Sequence, residues 1–240
     1  MTAGHRPGRS TESVDNYLKA ILALSEPHGG RVMSKALAER LGVAPASVTN
    51  MLQKLAAAPA PLVEYERHRG VLLSPAGRRR ALEIVRHHRL IETFLYEVLD
   101  YPLEELHEEA ERLEHFISER FEARIAAKLG HPRTDPHGHS IPTLEGEMPH
   151  RSSLLLAEVT PPPAGSASCV YVVDSVSDRD ATALRNLEAN GITPGARLRL
   201  LPGERFLVSL AEPATGDASA QPISLTREDA QEIWIRPLSA

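Results

Sequence analysis

Apolar residues recur at helical spacing through Val14, Tyr17, Leu18, Ile21, Leu22 and Leu24, so the pattern predicts an amphipathic helix opening near Ser10. Pro27, Gly29 and Gly30 are expected to end it. A short second helix is predicted from Ser34 to the closing Gly42. After a tight turn a third begins near Pro45, with Val48, Met51, Leu52 and Leu55 facing inward. The next stretch, L-V-E-Y-E-R-H-R-G-V-L-L-S, alternates apolar and polar positions around Arg67, His68, Arg69 and Gly70, the pattern of a β-hairpin with a basic tip. Helix, turn, helix and hairpin in this order predict a winged helix-turn-helix.

Ser74 and Pro75 then open a long helix whose apolar stripe runs through Leu82, Val85, Leu90, Phe94, Leu95 and Val98. A further Glu-rich helix is expected from about Leu103 to Leu129, carrying His107 and His115. Pro, Gly and His crowd the chain between Gly130 and His150, which predicts a linker or ordered loop. Short apolar runs follow at 154–159, 169–173, 197–201, 206–210 and 233–235, with one helix predicted over 180–190. That spacing suits a small β-barrel. The fold class read from the pattern is α+β in three parts, 1–75, 76–149 and 150–240.

Composition adds limits. The 240 residues are 42% hydrophobic and 25% charged, as expected of a soluble globular protein. Nothing in the first ten residues reads as a signal peptide or membrane span, and a cytoplasmic location is expected. The single cysteine, Cys169, rules out an intrachain disulfide and a cysteine-built zinc site, so any metal must use His and carboxylates. The net charge of −5 conceals a division. Residues 1–80 hold twelve Lys and Arg against six Asp and Glu, whereas residues 81–150 hold seven against fifteen. A basic segment suited to phosphates precedes an acidic, His-rich one suited to cations.

In a winged helix the second helix of the motif enters the major groove, which places Ala46, Ser47, Thr49, Asn50, Gln53 and Lys54 toward the bases. Asn and Gln can pair with adenine, Lys with guanine or phosphate, and Ala46 with a thymine methyl. Arg67, His68 and Arg69 would grip the flanking backbone. Winged helices also bind proteins, so a scaffold remains open. In the acidic segment His88 and Glu92 stand four apart and share a helix face, and His107 and Glu111 repeat the spacing. Glu111, Glu114 and His115 follow within about one turn. Imidazole and carboxylate without thiolate suit a divalent manganese, iron or zinc ion. A hydrolase with a metal-bound water is the enzymatic alternative. However, the chain has no H-E-x-x-H, nucleophile elbow or phosphate-binding glycine loop.

The segments R-H-H-R-L-I-E-T-F-L, L-H-E-E-A-E-R-L-E-H and H-P-R-T-D-P-H-G-H-S-I-P, in this order after a winged helix, resemble hallmarks of the diphtheria toxin repressor family of iron- and manganese-dependent regulators. The resemblance implies a non-enzymatic repressor with a DNA-binding domain, a helical metal-binding and dimerisation domain, and an SH3-like C-terminal domain related to barrels of iron-transport proteins. It implies a homodimer on double-stranded operator DNA, with no membrane and no small-molecule substrate. Two metal sites per subunit are implied, one from His88, Glu92 and His107 and one from Glu111, Glu114 and His115. Asn16 falls where the family draws a ligand from the first helix, commonly Met or Asp. Asp15 is its neighbouring alternative. Asp180, or Asp178 beside it, lies about where the C-terminal domain lends oxygens, while His131, His137 and His139 are assigned to loop packing. Iron-type members tend to carry Cys where Glu111 stands, so Mn2+ is the expected cofactor and Fe2+ the alternative.

Overall fold

A computed structural model describes residues 9–25, 30–203, 206–211 and 221–238. Pro27 and Gly29, expected to end the first helix, lie outside the described residues. The chain forms two compact units interleaved in sequence, one of residues 1–88, 111–127 and 142–148, the other of residues 89–110, 128–141 and 149–240.

In the first unit α1 (Arg9–Ser25), α2 (Ser34–Leu41) and α3 (Pro45–Ala56) enclose an apolar core in which Leu18, Ile21, Leu37, Val48 and Leu52 are fully buried. Gly42 ends α2 in the left-handed region at φ 63°, where its N–H reaches the carbonyls of Ala38 and Glu39. Strands β1 (Val63–Glu66) and β2 (Gly70–Leu73) pair antiparallel, with Val63 opposite Leu73. Val32 exchanges both backbone hydrogen bonds with Val71 at 2.9 Å and braces the hairpin. Gly70 sits there at φ +93°, and a Cβ on it would lie 2.6 Å from the Val32 carbonyl oxygen. The winged helix-turn-helix is therefore present as expected.

Helix α4 (Pro75–Leu99) opens where the Ser74 hydroxyl accepts the Gly77 N–H at 3.0 Å. Its residues through His88 belong to the first unit and the rest to the second. The single helix expected from Leu103 to Leu129 is broken. A 3-10 turn (Leu103–Glu105) leads into α5 (Leu106–Leu113), and α6 (Glu119–Lys128) starts afresh after a turn. The Phe116 N–H closes on the Leu113 carbonyl, and Ser118 receives the Phe121 N–H on its hydroxyl. In a continuous helix consecutive side chains diverge by about 100°. The turn instead lets Glu114 and His115 both be buried.

The second unit carries a six-stranded antiparallel sheet in the order β3 (Leu154–Leu155), β8 (Ile233–Pro237), β4 (Cys169–Val176), β5 (Arg197–Leu200), β6 (Leu207–Leu210), β7 (Ile223–Ser224). The apolar run at 154–159 passes from a two-residue strand into a 3-10 turn. The expected helix is α7 (Ala181–Ala189), and a short α8 (Arg227–Gln231), capped by Thr226 with Asp229, joins it. The loop 130–141 is seated on β4. Gly138 passes so close that a Cβ would lie 2.2 Å from the Asp174 carbonyl oxygen, and the Val176 N–H donates to the His137 carbonyl at 2.9 Å. Among the described residues no helix is long and apolar enough to cross a membrane.

Candidate metal centre

The first cluster lies within the first unit and centres on Glu114, whose carboxylate is fully buried. The break after α5 turns it toward α1 and α4. His88 Nδ1 stands 2.6 Å from Glu114 Oε2, and His115 Nε2 stands 3.2 Å from Glu114 Oε1. One ligand atom each from His88, Glu111 and Glu114 can meet within 4.8 Å. Helix α1 supplies three more side chains. Asn16 Oδ1 accepts from His115 Nε2 at 3.0 Å, and Asp15 Oδ2 lies 3.6 Å from His115 Nδ1. The Lys19 ammonium donates to Glu111 Oε1 at 2.7 Å and to both Glu114 oxygens at 2.7 and 2.8 Å.

Asp15 is buried, which alone would raise its pKa, but the His115 and Arg80 contacts outweigh burial and hold it below the ordinary carboxylate range. Arg80 Nε donates to Asp15 Oδ1 at 2.6 Å. Behind Glu114, His87 Nδ1 donates to the Glu114 backbone carbonyl at 3.3 Å while its Nε2 faces Glu122 Oε2 at 3.2 Å. Burial disfavours the His87 cation, yet Glu122 outweighs it and the net shift is upward. Glu122, against His87 and Arg86, is held low.

The second cluster lies within the second unit. Glu92 and His137 are fully buried, and Glu92, His107 and Asp178 can bring one ligand atom each within 4.8 Å. His107 Nδ1 is 3.2 Å from Asp178 Oδ2 and 3.8 Å from Glu92 Oε1, and His137 Nδ1 is 3.6 Å from Glu92 Oε1. Burial works against the His107 cation, but the carboxylates of Asp178 and Glu92 prevail and raise its pKa to about 10. His137 is raised to about 9 by Glu92, Asp135 and Asp178, again against burial. Burial pushes Asp178 up, and the imidazoles of His107 and His139 bring it far below the ordinary range. The neighbouring Asp135, His137 and His139 form a further group within 4.8 Å.

Two expectations change. Asp180 is the N-cap of α7, its Oδ1 accepting the Thr182 and Ala183 N–H groups at 2.8 and 3.1 Å, so that oxygen is committed to the helix. Asp178, two residues earlier, takes the place beside His107. His137 is not loop packing alone: its Nε2 donates to the Leu103 carbonyl at 3.1 Å, which aims Nδ1 at Glu92. His131, by contrast, is exposed at φ 57°. His88 stands one turn before Glu92 on α4, as the spacing required, and also meets Glu114.

Both clusters suit a hard divalent cation. Donors are imidazole nitrogens and carboxylate oxygens only. In the first, a side-chain ammonium already sits among three carboxylate oxygens. At and beside the second, buried His137 Nδ1 stands 3.6 Å from Glu92 Oε1 and buried Asp135 Oδ2 is met at 3.4 and 3.5 Å by His139 Nδ1 and Arg89 Nε, contacts looser than hydrogen bonds that leave room for a further partner.

Ala46, Ser47, Asn50, Gln53 and Lys54 are exposed on α3, and Thr49 is partly covered, its hydroxyl donating to the Pro45 carbonyl at 3.1 Å. Arg67, His68 and Arg69 are exposed at the hairpin tip, His68 at φ 65°. Arg69 pairs with Glu66 at 2.7 Å, and Arg31, which the sequence did not single out, pairs with the same carboxylate at 2.6 Å.

A winged helix joined to clusters of His and carboxylate side chains is the arrangement of a metal-dependent DNA-binding regulator. Residues 10–71 match the family profile "Iron dependent repressor, N-terminal DNA binding domain", 74–143 match "Iron dependent repressor, metal binding and dimerisation domain", and 166–237 match "FeoA domain". The iron-dependent repressor IdeR of Mycobacterium bovis is 32% identical over 194 residues, 78% of this chain and 83% of that protein. The regulator MntR of Bacillus pumilus is 35% identical over 109 residues, 45% of this chain and 73% of that protein. A solved manganese-dependent transcriptional repressor in complex with manganese superposes at TM-score 0.79 with 38% identity, covering 94% of this chain and all of that one. The chain belongs to the iron-dependent repressor family of metal-dependent transcriptional regulators.

Proposed function

We propose that the chain is a manganese-activated repressor that binds operator DNA as a homodimer, with two ions per subunit. The observation that carries this reading is the first cluster, where α1 of the winged helix meets the segment 111–115 across a set of carboxylates and imidazoles. Glu111, Glu114 and His115 would hold one ion, with Asn16 as the contact from α1. His88, Glu92 and His107 would hold the other, joined by Asp178 and His137. A bound divalent cation supplies the positive charge that lets a buried carboxylate and a partly exposed one approach each other. Asn16 and Asp15 anchor α1, Arg80 fixes Asp15, and His87 holds the Glu114 backbone, so occupancy and the position of α1 are linked. Two half-sites demand a fixed spacing of recognition helices, and a dimer ordered at that spacing binds better than a mobile one. Glu111 supports manganese over iron because a carboxylate is harder than the thiolate it replaces in iron-type relatives.

The three-part division at 1–75, 76–149 and 150–240 is our functional assignment: reading head, metal and dimer domain, and SH3-like domain that contributes Asp178. The test is a titration of chelator-treated protein against promoter DNA, with and without Mn2+ or Fe2+, at constant ionic strength. Tight binding only with metal, and strongest with Mn2+, is expected. Equal affinity of metal-free and metal-loaded protein overturns the reading.

A further inference from the structure

We propose that Lys19 is a tethered competitor for the first metal cluster, a built-in cation that must leave Glu111 and Glu114 before a divalent ion can bind, and that it sets the metal concentration at which the protein responds. This rests on the preceding assignment of Glu111 and Glu114 as ion-holding residues. The Lys19 ammonium lies 2.7 Å from Glu111 Oε1 and 2.7 and 2.8 Å from the two Glu114 oxygens, so it occupies the space between the two carboxylates. Its side chain is 17% exposed and that of Glu114 is 0% exposed, so little water screens that pair, while Glu111 is 36% exposed and more open to solvent. His88 and His115 already engage the same carboxylate at 2.6 and 3.2 Å. Oxygens that face an ammonium at hydrogen-bond distance cannot coordinate a second cation at the same point, because like charges repel and the donor directions are taken.

A four-carbon stem gives Lys19 a way out. Lys19 is partly exposed on α1, and the lysine stem can swing toward solvent. Binding therefore exchanges one side-chain cation for a divalent one. The neutral Asn16 has the converse role: it offers an oxygen to His115 without adding charge. The arrangement gives the metal-free protein a stable carboxylate cage, at the expense of affinity for the ion.

The test compares wild type, Lys19→Met and Lys19→Arg as full-length, chelator-treated proteins, by isothermal calorimetry and by electron paramagnetic resonance of free Mn2+. Lys19→Met keeps the length and removes the charge, and should tighten one of the two Mn2+ sites by at least about tenfold, ~1.4 kcal/mol. It should also lower Tm of the metal-free protein, so that the Tm rise on adding Mn2+ becomes larger than in wild type. Lys19→Arg, which keeps the charge, should bind no more tightly than wild type. Unchanged or weaker Mn2+ binding by folded Lys19→Met overturns the competitor role and leaves the repressor reading intact. Absence of Mn2+ binding in both wild type and Lys19→Met overturns the competitor role together with the metal assignment.

Discussion

Glu122 is the acceptor shared by Arg86 and His87 behind the first cluster, and its removal has a size that can be worked out. Its Oε1 takes Arg86 Nε at 2.5 Å and its Oε2 faces His87 Nε2 at 3.2 Å, with side-chain exposures of 12%, 7% and 6% for Arg86, His87 and Glu122. Arg86 keeps one other acceptor, the Pro142 carbonyl at 2.8 Å, and His87 keeps the Glu114 carbonyl. Removing one partner of a buried ion pair costs about 3–5 kcal/mol, so Glu122→Ala should lower Tm of the metal-free protein by roughly 6–20 °C for a chain of this size. Glu122→Gln, which keeps shape and one acceptor, should fall between the two. The pH dependence gives a second signature. Glu122 is held below its ordinary value of 4.5, so its contribution is present above that pH and lost as pH falls through the lowered value. His87 is held above 6.5, so its contribution is complete below that pH and lost as pH rises through the raised value. The gap between wild type and Glu122→Ala should therefore be widest between pH 4.5 and 6.5. Differential scanning calorimetry across pH measures it, and a Tm change under about 2 °C with no pH dependence would refute the ion-pair account.

Three further outcomes are expected. Asn50→Ala or Gln53→Ala should cost about 1–3 kcal/mol on the operator and leave random DNA unaffected, whereas Arg67→Ala should weaken both and reduce the salt slope by about one, all read by fluorescence anisotropy. Gly70→Ala must force a Cβ to within 2.6 Å of the Val32 carbonyl at φ +93°, and urea titration should show a loss of roughly 1–3 kcal/mol. Because His107 and His137 are held at about 10 and about 9, they are protonated at pH 7 in the metal-free protein. Mn2+ binding should then release protons and tighten as pH rises toward 9, which calorimetry in buffers of different ionisation enthalpy detects.

Much of this was legible from residue order. The winged helix could be read because each helix carries a strong apolar stripe and each turn a Gly or Pro that only a turn accommodates. His88 and Glu92 could be paired because both fall within one helix. The break at 114–118 was hidden, since Leu106, Ala110, Ile125 and Ala126 keep a helical rhythm on either side of it. Asp178 and Asp180 were separable in principle: an aspartate directly before Ala181 and Thr182 is a helix cap, which leaves the earlier one available. Lys19 gave no local signal. It is an ordinary polar position on α1, and its partners lie 92 and 95 residues away. His137 was read as loop packing because nothing in D-P-H-G-H tells that Gly138 lets the loop press against β4.

That seating has a consequence for biosynthesis. His137 leaves the ribosome about forty residues before Asp178 and the β4 backbone that fixes its loop, an interval of about 2–8 s at ordinary elongation rates. β8, which pairs with β4 through Val173 and Ile235, emerges later still. A nascent chain thus presents its winged helix long before the cluster of Glu92, His107 and Asp178 can form. A chain released before β4 would carry the winged helix without the second cluster.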